Sequence, residues 1–272
     1  MTLAELTLAQ WRTFDLATAR RLAGEAAAQA DGRVTLVETV GHLGAPLHRA
    51  LIERDGREFA LIPGGRVRLG FDLEAWRPTP EQVADYEECL AEGFACAPDL
   101  KTHLAGELSP PRTAEPAAVL MAVEEEQLTE LPSDMTAVLA ARGLRMPDAD
   151  EWEHACGAGA TTLFRWGDAY PLDAAPYGDG GDGRDGTGPL RERNAFGLRI
   201  AHDVYTAELS SGGRAVHGGD GGEAVCGGYG RLREWLPLAT ANTNPAMAEF
   251  VHGPDGEDAW DAFSVRPVLS LR

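Results

Sequence analysis

The most specific pattern in this 272-residue chain is GLRMPDADEWEHA at residues 143–155. Pro147 has no backbone N–H and therefore suits the start of a helix. The acidic residues that follow it, between positions 148 and 151, suit the positively polarised end of that helix. The pattern therefore predicts a helix that begins at Pro147.

The second half of this pattern predicts which side of the helix is buried. Trp152 and Ala155 are three residues apart and share one helical face. We expect this face to lie in the core, with Glu153 and His154 at its edge. These are structural roles, so the pattern indicates a fold rather than a reaction.

Three further patterns flank this helix along the chain. Upstream, residues 59–70 read FALIPGGRVRLG, which predicts two strands joined by a tight turn at Pro63-Gly64-Gly65. Downstream, residues 164–168 read FRWGD and residues 194–198 read NAFGL. Weaker patterns are CGGY at 226–229 and SVRPV at 264–268.

Taken in this order, the patterns resemble the formylglycine-generating enzyme (sulfatase-modifying factor) family. The resemblance spans roughly residues 57–272 and implies the fold of that family, a variant of the C-type lectin-like fold. The expected class is α+β, with short strands, long loops and a few helices. Residues 1–56 are then an N-terminal helix and strands that pack on the main domain, or a separate small module.

The resemblance implies copper chemistry that this chain lacks the residues to perform. In the family, a cysteine pair shortly after the segment that CGGY resembles binds copper(I), a soft ion that thiolates suit. Cys226 is the last of the four cysteines, and no cysteine follows it. We therefore expect neither copper nor formylglycine generation.

A related branch, the ergothioneine-type sulfoxide synthases, places iron on histidines of an added N-terminal helical bundle. Here His42 and His48 lie in a β-like stretch, and the other histidines are scattered, so each is expected to be a surface or hydrogen-bonded residue. A site assembled from His202, His217 and Cys226 is the open alternative. The sequence does not decide whether iron binds.

The resemblance also implies structural calcium. The corresponding stretch is HDVYTAEL at 202–209, which keeps Asp203 and Glu208 as candidate ligands. The run from Gly178 to Gly186 has a calcium-loop composition, but its aspartates are three residues apart and do not fit the EF-hand pattern. We expect a solvated loop there.

The remaining elements follow from periodicity and turn residues. We expect a helix over residues 4–30, short β-like runs at 34–37 and 50–52, and a helix over 131–143. Residues 78–108 read as a helical surface insertion that begins at Thr79-Pro80. Beyond Gly157, the glycine- and aspartate-rich stretches favour long loops between short strands.

Composition, the N-terminal residues and the cysteine spacing indicate which kinds of partner and which cellular location to expect. The net charge is −19 and Lys101 is the only lysine, so we expect no nucleic-acid or membrane partner. The N-terminal residues lack the pattern of a secretory signal, and the cysteines form no CxxC pair. These features predict a reduced, cytoplasmic protein.

Two functions fit these observations. The first is a non-catalytic module that binds an unknown protein or small molecule, such as the variable protein of a diversity-generating retroelement, through the C-terminal half. The second is an iron- or copper-dependent oxygenase or oxidase with a relocated site. If the chain is a binding module, Tyr229, Trp235 and Trp260 lie on its surface; the alternative is that they are core residues. The candidate binding residues are Tyr229, Arg231, Arg233, Trp235, Asn242, Thr243, Asn244 and Trp260.

Overall fold

The computed structural model describes most of the chain. The fold class of the described residues is α+β, and the sheets are largely antiparallel. Asp-rich residues 178–186 and Trp260, both singled out in the sequence, lie outside the described residues. The described residues are 2–94, 97–128, 132–172, 175–176, 190, 192–212, 215–251, 253 and 263–272.

A five-stranded antiparallel sheet runs from the N-terminal segment to the last residues of the chain. Its order is β1-β2-β3-β6-β11. The β-like runs predicted at 34–37 and 50–52 are the centres of two ten-residue strands that form a hairpin. One continuous core lies against this sheet. The strands are β1 Arg33–His42, β2 Ala45–Arg54, β3 Arg57–Ile62, β6 Val119–Ala122 and β11 Val268–Ser270.

Two smaller sheets complete the β-structure of the described residues. One has the order β7-β10-β8-β9, in which β10 and β8 are parallel. The other is the pair β4-β5. Their strands are β4 Val67–Leu69, β5 Arg112–Ala114, β7 Glu126–Gln127, β8 Ala207–Leu209, β9 Val216–His217 and β10 Phe263–Val265.

Helices frame the sheets and mostly begin at a capping side chain. The single helix expected over 4–30 is instead broken near Asp15, whose carboxylate accepts from the Thr18 N–H at 2.7 Å and starts a new helix. The helices are α1 Leu8–Thr13, α2 Leu16–Gln29, α3 Pro80–Ala91, α4 Leu100–Glu107, α5 Pro132–Ala141, α6 Ala149–Gly157, α7 Glu223–Gly227, α8 Arg231–Trp235 and α9 Pro245–Val251, with 3-10 turns at Leu3–Glu5 and Leu236–Leu238.

The tight turn predicted at Pro63-Gly64-Gly65 does not join a hairpin, so that prediction is wrong. Strand β3 pairs with β2 and β6, whereas β4 pairs with β5 in a different sheet. Gly64 instead holds the N-terminal segment: its N–H donates to the Leu6 carbonyl and its carbonyl accepts from the Leu8 N–H, both at 2.8 Å. A Cβ at Gly64 would collide with the backbone of residues 116–117.

Helix α6, the helix predicted from GLRMPDADEWEHA, lies at the centre of the molecule. It begins at Ala149, two residues later than expected: Asp148 is the N-cap, and its carboxylate accepts from the Glu151 N–H at 2.8 Å. Residues 151–157 are all buried. Glu153 and His154, which we expected at the edge of the buried face, are therefore buried, like Trp152 and Ala155.

The C-terminal half holds more helix than its glycine content suggests. Short helices α7, α8 and α9 occupy stretches that we expected to be loops. Their ends coincide with residues of positive φ, as at Gly222 and Gly228 on either side of α7. Glycine here marks helix ends rather than extended loops.

Candidate functional site

An ion-pair network ties α6 to the second sheet. Trp152 on α6 donates through Nε1 to Glu208 Oε2 at 2.8 Å. Arg266, which is 0% exposed, donates to both oxygens of Glu208, at 2.8 and 2.6 Å. Its remaining N–H groups donate to the carbonyls of Ala122 and Val123 and to Glu125. A guanidinium has five N–H donors, so Arg266 is fully used.

Glu208, one of the two residues predicted to bind calcium, belongs to this network. Both carboxylate oxygens of Glu208 accept hydrogen bonds from Arg266. The other predicted residue, Asp203, accepts from the Tyr205 N–H at 2.9 Å and from the Thr206 hydroxyl at 3.1 Å, within its own loop. Calcium binding at these two residues stays a prediction.

Glu153, on the opposite side of α6, is buried beside strand β5. Its carboxylate accepts from the Gly70 N–H, from the Ser109 hydroxyl at 2.8 Å and from Arg112 Nη2 at 2.9 Å. Burial raises the pKa of Glu153 although the charge of Arg112 works in the opposite direction. These bonds fix α6 against the β4-β5 pair rather than leaving a carboxylate for a ligand.

Buried histidines on and near α6 are neutral. His154 bonds through Nε2 to the Pro63 carbonyl at 2.7 Å, and burial lowers its pKa. His217 bonds through Nδ1 to the Asn242 carbonyl at 2.8 Å and stacks on Trp152 with ring centroids 4.5 Å apart. Burial lowers the pKa of His217 to about 4. Both rings act as packing groups with one hydrogen bond each.

The three residues His202, His217 and Cys226 do not come together. His217 is buried against Trp152, Cys226 is exposed on α7, and His202 lies beside Glu125. This particular relocated site is therefore not formed. Buried Cys156 is not a nucleophile either, because burial raises the pKa of its thiol to about 12.

His202 instead belongs to a cluster that sequence reasoning missed. Glu124, Glu125 and His202 each offer a ligand atom, and these atoms lie within 4.8 Å of one another. His202 Nε2 is 3.3 Å from Glu125 Oε2, which also accepts from Arg266. Burial opposes the ionisation of both groups, but their mutual attraction raises the pKa of His202 and, with the charge of Arg266, lowers that of Glu125.

The predicted binding residues divide between the core and the surface. Trp235 and Asn242 are buried: the Trp235 ring packs against Trp166 and Phe164, and the Asn242 carbonyl accepts from His217. For Trp235 the core alternative is therefore correct. Asn244 caps α9 through the Met247 N–H at 3.0 Å. The neighbouring Thr243 donates its N–H to the Glu107 carbonyl.

The remaining candidates lie together where α3 meets α8. Tyr229 is half-buried, with Arg233 Cζ 4.2 Å from its ring centroid and the Phe94 ring 4.9 Å away. Arg231 is exposed at the start of α8. We call these four residues, Phe94, Tyr229, Arg231 and Arg233, the α3–α8 surface. The sequence did not indicate Phe94, because it lies 135 positions from Tyr229 in the chain.

The α3–α8 surface rests on a fixed base. Helix α3 is held from below, where Gln82 Nε2 donates to the Asp168 carbonyl at 2.7 Å and the Tyr170 hydroxyl donates to Asp85. The expected surface insertion over 78–108 thus contributes buried residues, including Tyr86 and Cys89. It is part of the packing around the candidate site.

Two concave features lie away from the α3–α8 surface. The cavity beside Glu153, His154 and Thr240 has a volume of about 10 Å³, enough for a single water molecule. An open groove of about 670 Å³ is lined by Arg54, Arg57 and Arg142. Glu126 forms ion pairs with Arg57 and Arg142 there.

Comparison with known proteins adds no relative. A scan against protein-family models finds no match to this chain, and a search of curated proteins finds no matching relative. The likeness to the formylglycine-generating enzyme family stays a prediction from the quoted segments. No helix in the described residues is long and apolar enough to cross a membrane.

Proposed function

We propose that this chain is a non-catalytic module that binds a protein or small-molecule ligand at the α3–α8 surface. The observation that carries the proposal is the half-buried Tyr229 ring, which has the Arg233 guanidinium over its face and the Phe94 ring tilted against it at 4.9 Å. Tyrosine and arginine are enriched among the residues that dominate binding energy at interfaces. The variable protein of a diversity-generating retroelement is one module of this kind.

Local packing supports a fixed orientation of Tyr229. A Cβ placed on Gly227 would lie 2.4 Å from the Tyr229 ring, so the ring covers the backbone of α7 closely. Beneath the surface, Trp235 packs against Phe164, Trp166 and Tyr170. A preorganised aromatic group loses little conformational entropy when a ligand binds.

We further propose the formylglycine-generating-enzyme-like, C-type lectin-like scaffold for this module. The quoted segments contact one another as parts of a single core, which supports the proposal. His154 bonds to the Pro63 carbonyl, and Asn194 Nδ2 donates to the Ala155 carbonyl at 2.7 Å. Arg266, in the closing segment, joins Glu208.

The test begins with the purified full chain on glycan and peptide arrays. Each bound probe is then titrated calorimetrically into the wild type, Tyr229→Ala and Arg233→Ala. We expect both substitutions to weaken binding at least tenfold, about 1.4 kcal/mol. Tyr205→Ala is the matched control, because Tyr205 is 42% exposed and contacts Gly222 at the other end of α7. Probes that bind all variants equally would contradict the proposal.

A second candidate function, a metal-dependent oxygenase or oxidase, is favoured by the Glu124, Glu125 and His202 cluster. An imidazole with two carboxylates suits iron, manganese or zinc, and three protein ligands leave coordination positions open. Arg266 hydrogen bonds to Glu125 as outer groups commonly do to ligating carboxylates. The exposed Glu124, however, lies 3.5 Å from Arg199, and the cluster is consistent with ion pairing alone.

Metal analysis separates the two functions. We expect the protein, purified without added metal and dialysed, to hold no stoichiometric transition metal by plasma mass spectrometry. One equivalent of iron or copper that is lost in His202→Ala and kept in His103→Gln would favour the oxygenase or oxidase. The array experiment does not depend on this result, so the two proposals fail separately.

A further inference from the structure

Strand β1 is the long, open edge of the five-stranded sheet. The opposite edge, β11, has three residues and forms an additional bridge between Val268 and Arg145. By contrast, β1 has ten residues and pairs on one side only, with β2. Within the described residues, no backbone or side-chain group hydrogen bonds to the outer edge of β1. Proteins usually protect such edges, because they pair readily with another strand.

The composition of β1 does little to prevent this pairing. Its sequence, RVTLVETVGH, contains no lysine and no proline and is rich in valine, threonine and leucine. Its only charged residues are Arg33 and Glu38, apart from a terminal histidine. Each of these charges already has a partner on β2: Arg33 bonds to Glu53 at 2.6 Å, and Glu38 accepts from Arg49 at 2.9 Å.

A bulge decides which side chains of β1 share a face. The register with β2 shifts between Val34 and Leu36, so Thr35 is an extra residue. Arg33 and Glu38 oppose Glu53 and Arg49, which are four residues apart on β2 and therefore on one face. Val34 and Val37 oppose Ile52 and Ala50 and lie on the other face.

We propose that β1 pairs antiparallel with β1 of a second copy of this chain, around a two-fold axis at Leu36. With Thr35 bulged in both strands, Leu36 faces its symmetry mate, Val34 faces Val37, and Arg33 faces Glu38. Every opposed pair then lies on a common face, as antiparallel pairing requires. The pairing is isologous, so each contact occurs twice.

Charge complementarity is the specific argument for this occupant. Across the two-fold pairing, four charged side chains form a row on one face of the joined sheets. Their charges alternate in sign along the row, which runs from Glu53 and Arg33 of one copy to Glu38 and Arg49 of the other. Sliding the strands so that Glu38 faces Glu38 would place like charges opposite each other, which is unfavourable. The interface is a single strand pair, below the area of stable dimers, so we expect weak, reversible association. This inference is independent of the α3–α8 surface.

The test uses charge reversal at the two exposed positions. Arg33 and Glu38 side chains are 74% and 41% exposed, so reversal should leave folding intact. Sedimentation velocity is run over roughly a hundredfold range of protein concentration. A solution of about 0.15 M salt is used throughout, because it screens the net charge of −19 beyond about 8 Å and leaves directly opposed charges effective. We expect the wild type to shift from monomer towards dimer as concentration rises.

The variants then identify the interface. Arg33→Glu alone and Glu38→Arg alone each place like charges opposite each other and should reduce dimerisation at least fivefold. Mixing the two variants restores both opposite-charge pairs and should restore dimerisation. Arg21→Glu, a reversal on the exposed face of α2, should change nothing. A wild type that stays monomeric, a dimer insensitive to the reversals, or a mixture that fails to recover would each overturn the proposal.

Discussion

The centre around α6 and the α3–α8 surface each combine an aromatic ring with an arginine, but they use the guanidinium in opposite ways. In the centre, Arg266 is buried and donates along its edge to Glu208, Glu125 and two carbonyls, while Trp152 donates to the same Glu208. At the surface, Arg233 lies over the face of the half-buried Tyr229.

This difference separates structural residues from candidate binding residues. Edge bonding uses all five N–H donors of the guanidinium, so Arg266 has no hydrogen-bonding capacity left for a ligand. Face stacking fixes a ring without enclosing it, so Tyr229 remains accessible. We therefore expect substitutions in the centre to change stability, and substitutions at the α3–α8 surface to change binding.

The largest expected effect comes from Arg266→Met. It would leave the buried Glu208 without its counter-charge and Glu125 with His202 alone, which should lower the free energy of unfolding by about 3–5 kcal/mol. Urea denaturation followed by circular dichroism measures the change. Arg21→Met, at an exposed position on α2, should stay within about 0.5 kcal/mol of the wild type. A similarly small effect of Arg266→Met would remove the distinction between the two regions.

The next effect is a pH dependence that arises in the centre. The folded pKa of His217 is lowered from 6.5 to about 4, so the unfolded chain binds a proton in this range and the folded chain does not. Stability should therefore fall as the pH drops from 6.5 to 4, with a slope of up to about 1.4 kcal/mol per pH unit from this residue.

His217→Phe keeps the ring stacking on Trp152 and removes the titration. We expect a shallower fall in unfolding free energy between pH 6.5 and 4. Some slope should persist, because burial also lowers the pKa of His103 to about 4. An unchanged slope in His217→Phe would show that the ring is already protonated or solvated in the folded protein.

A smaller effect on stability is expected at the helix N-caps of the two regions. Asp148 caps α6 in the centre and Thr79 caps α3 beneath the surface, each through a capping box. Replacing either by alanine should lower the free energy of unfolding by about 1 kcal/mol. Thermal denaturation of both variants provides the measurement. A Thr79→Ala effect near zero would mean that α3 unfolds separately from the rest of the protein.

The smallest expected effect on stability is that of Tyr229→Ala. The stacking of Arg233 on an accessible ring contributes about 0.5–1 kcal/mol, so the free energy of unfolding should change by no more than this. Binding of an array-identified probe should change at least tenfold. A loss of stability as large as that of Arg266→Met would assign Tyr229 to the core and contradict its proposed role.

Local sequence signals predicted several elements well because their causes are local. Helix α3 begins at Pro80, directly after the N-cap Thr79, because threonine can cap and proline can occupy the first helical turn. The helix expected near residues 131–143 is α5, Pro132–Ala141. The class, α+β, was expected from the family resemblance and is confirmed. The C-type lectin-like arrangement is a matter of how elements are ordered in space, and it stays a proposal.

Predictions failed where the partner lies far away in the chain. Nothing near residue 63 shows that β3 and β4 enter different sheets, because their pairing partners are at 119–122 and 112–114. Trp235 could not be assigned to the core until Phe164 and Trp166 were found against it. The sequence did not indicate that Glu125 and His202 are neighbours, because 77 positions separate them.

By itself, the sequence determined that a helix with an acidic start begins close to Pro147, that Trp152 is buried and that no cysteine follows Cys226. Each of these depends on neighbouring residues or on composition. Only the tertiary structure decided that Glu208 is neutralised by Arg266, that Phe94 joins Tyr229 and that β1 is an open edge. The physical reason is that burial and charge pairing depend on distances across the fold, which residue spacing along a chain does not specify.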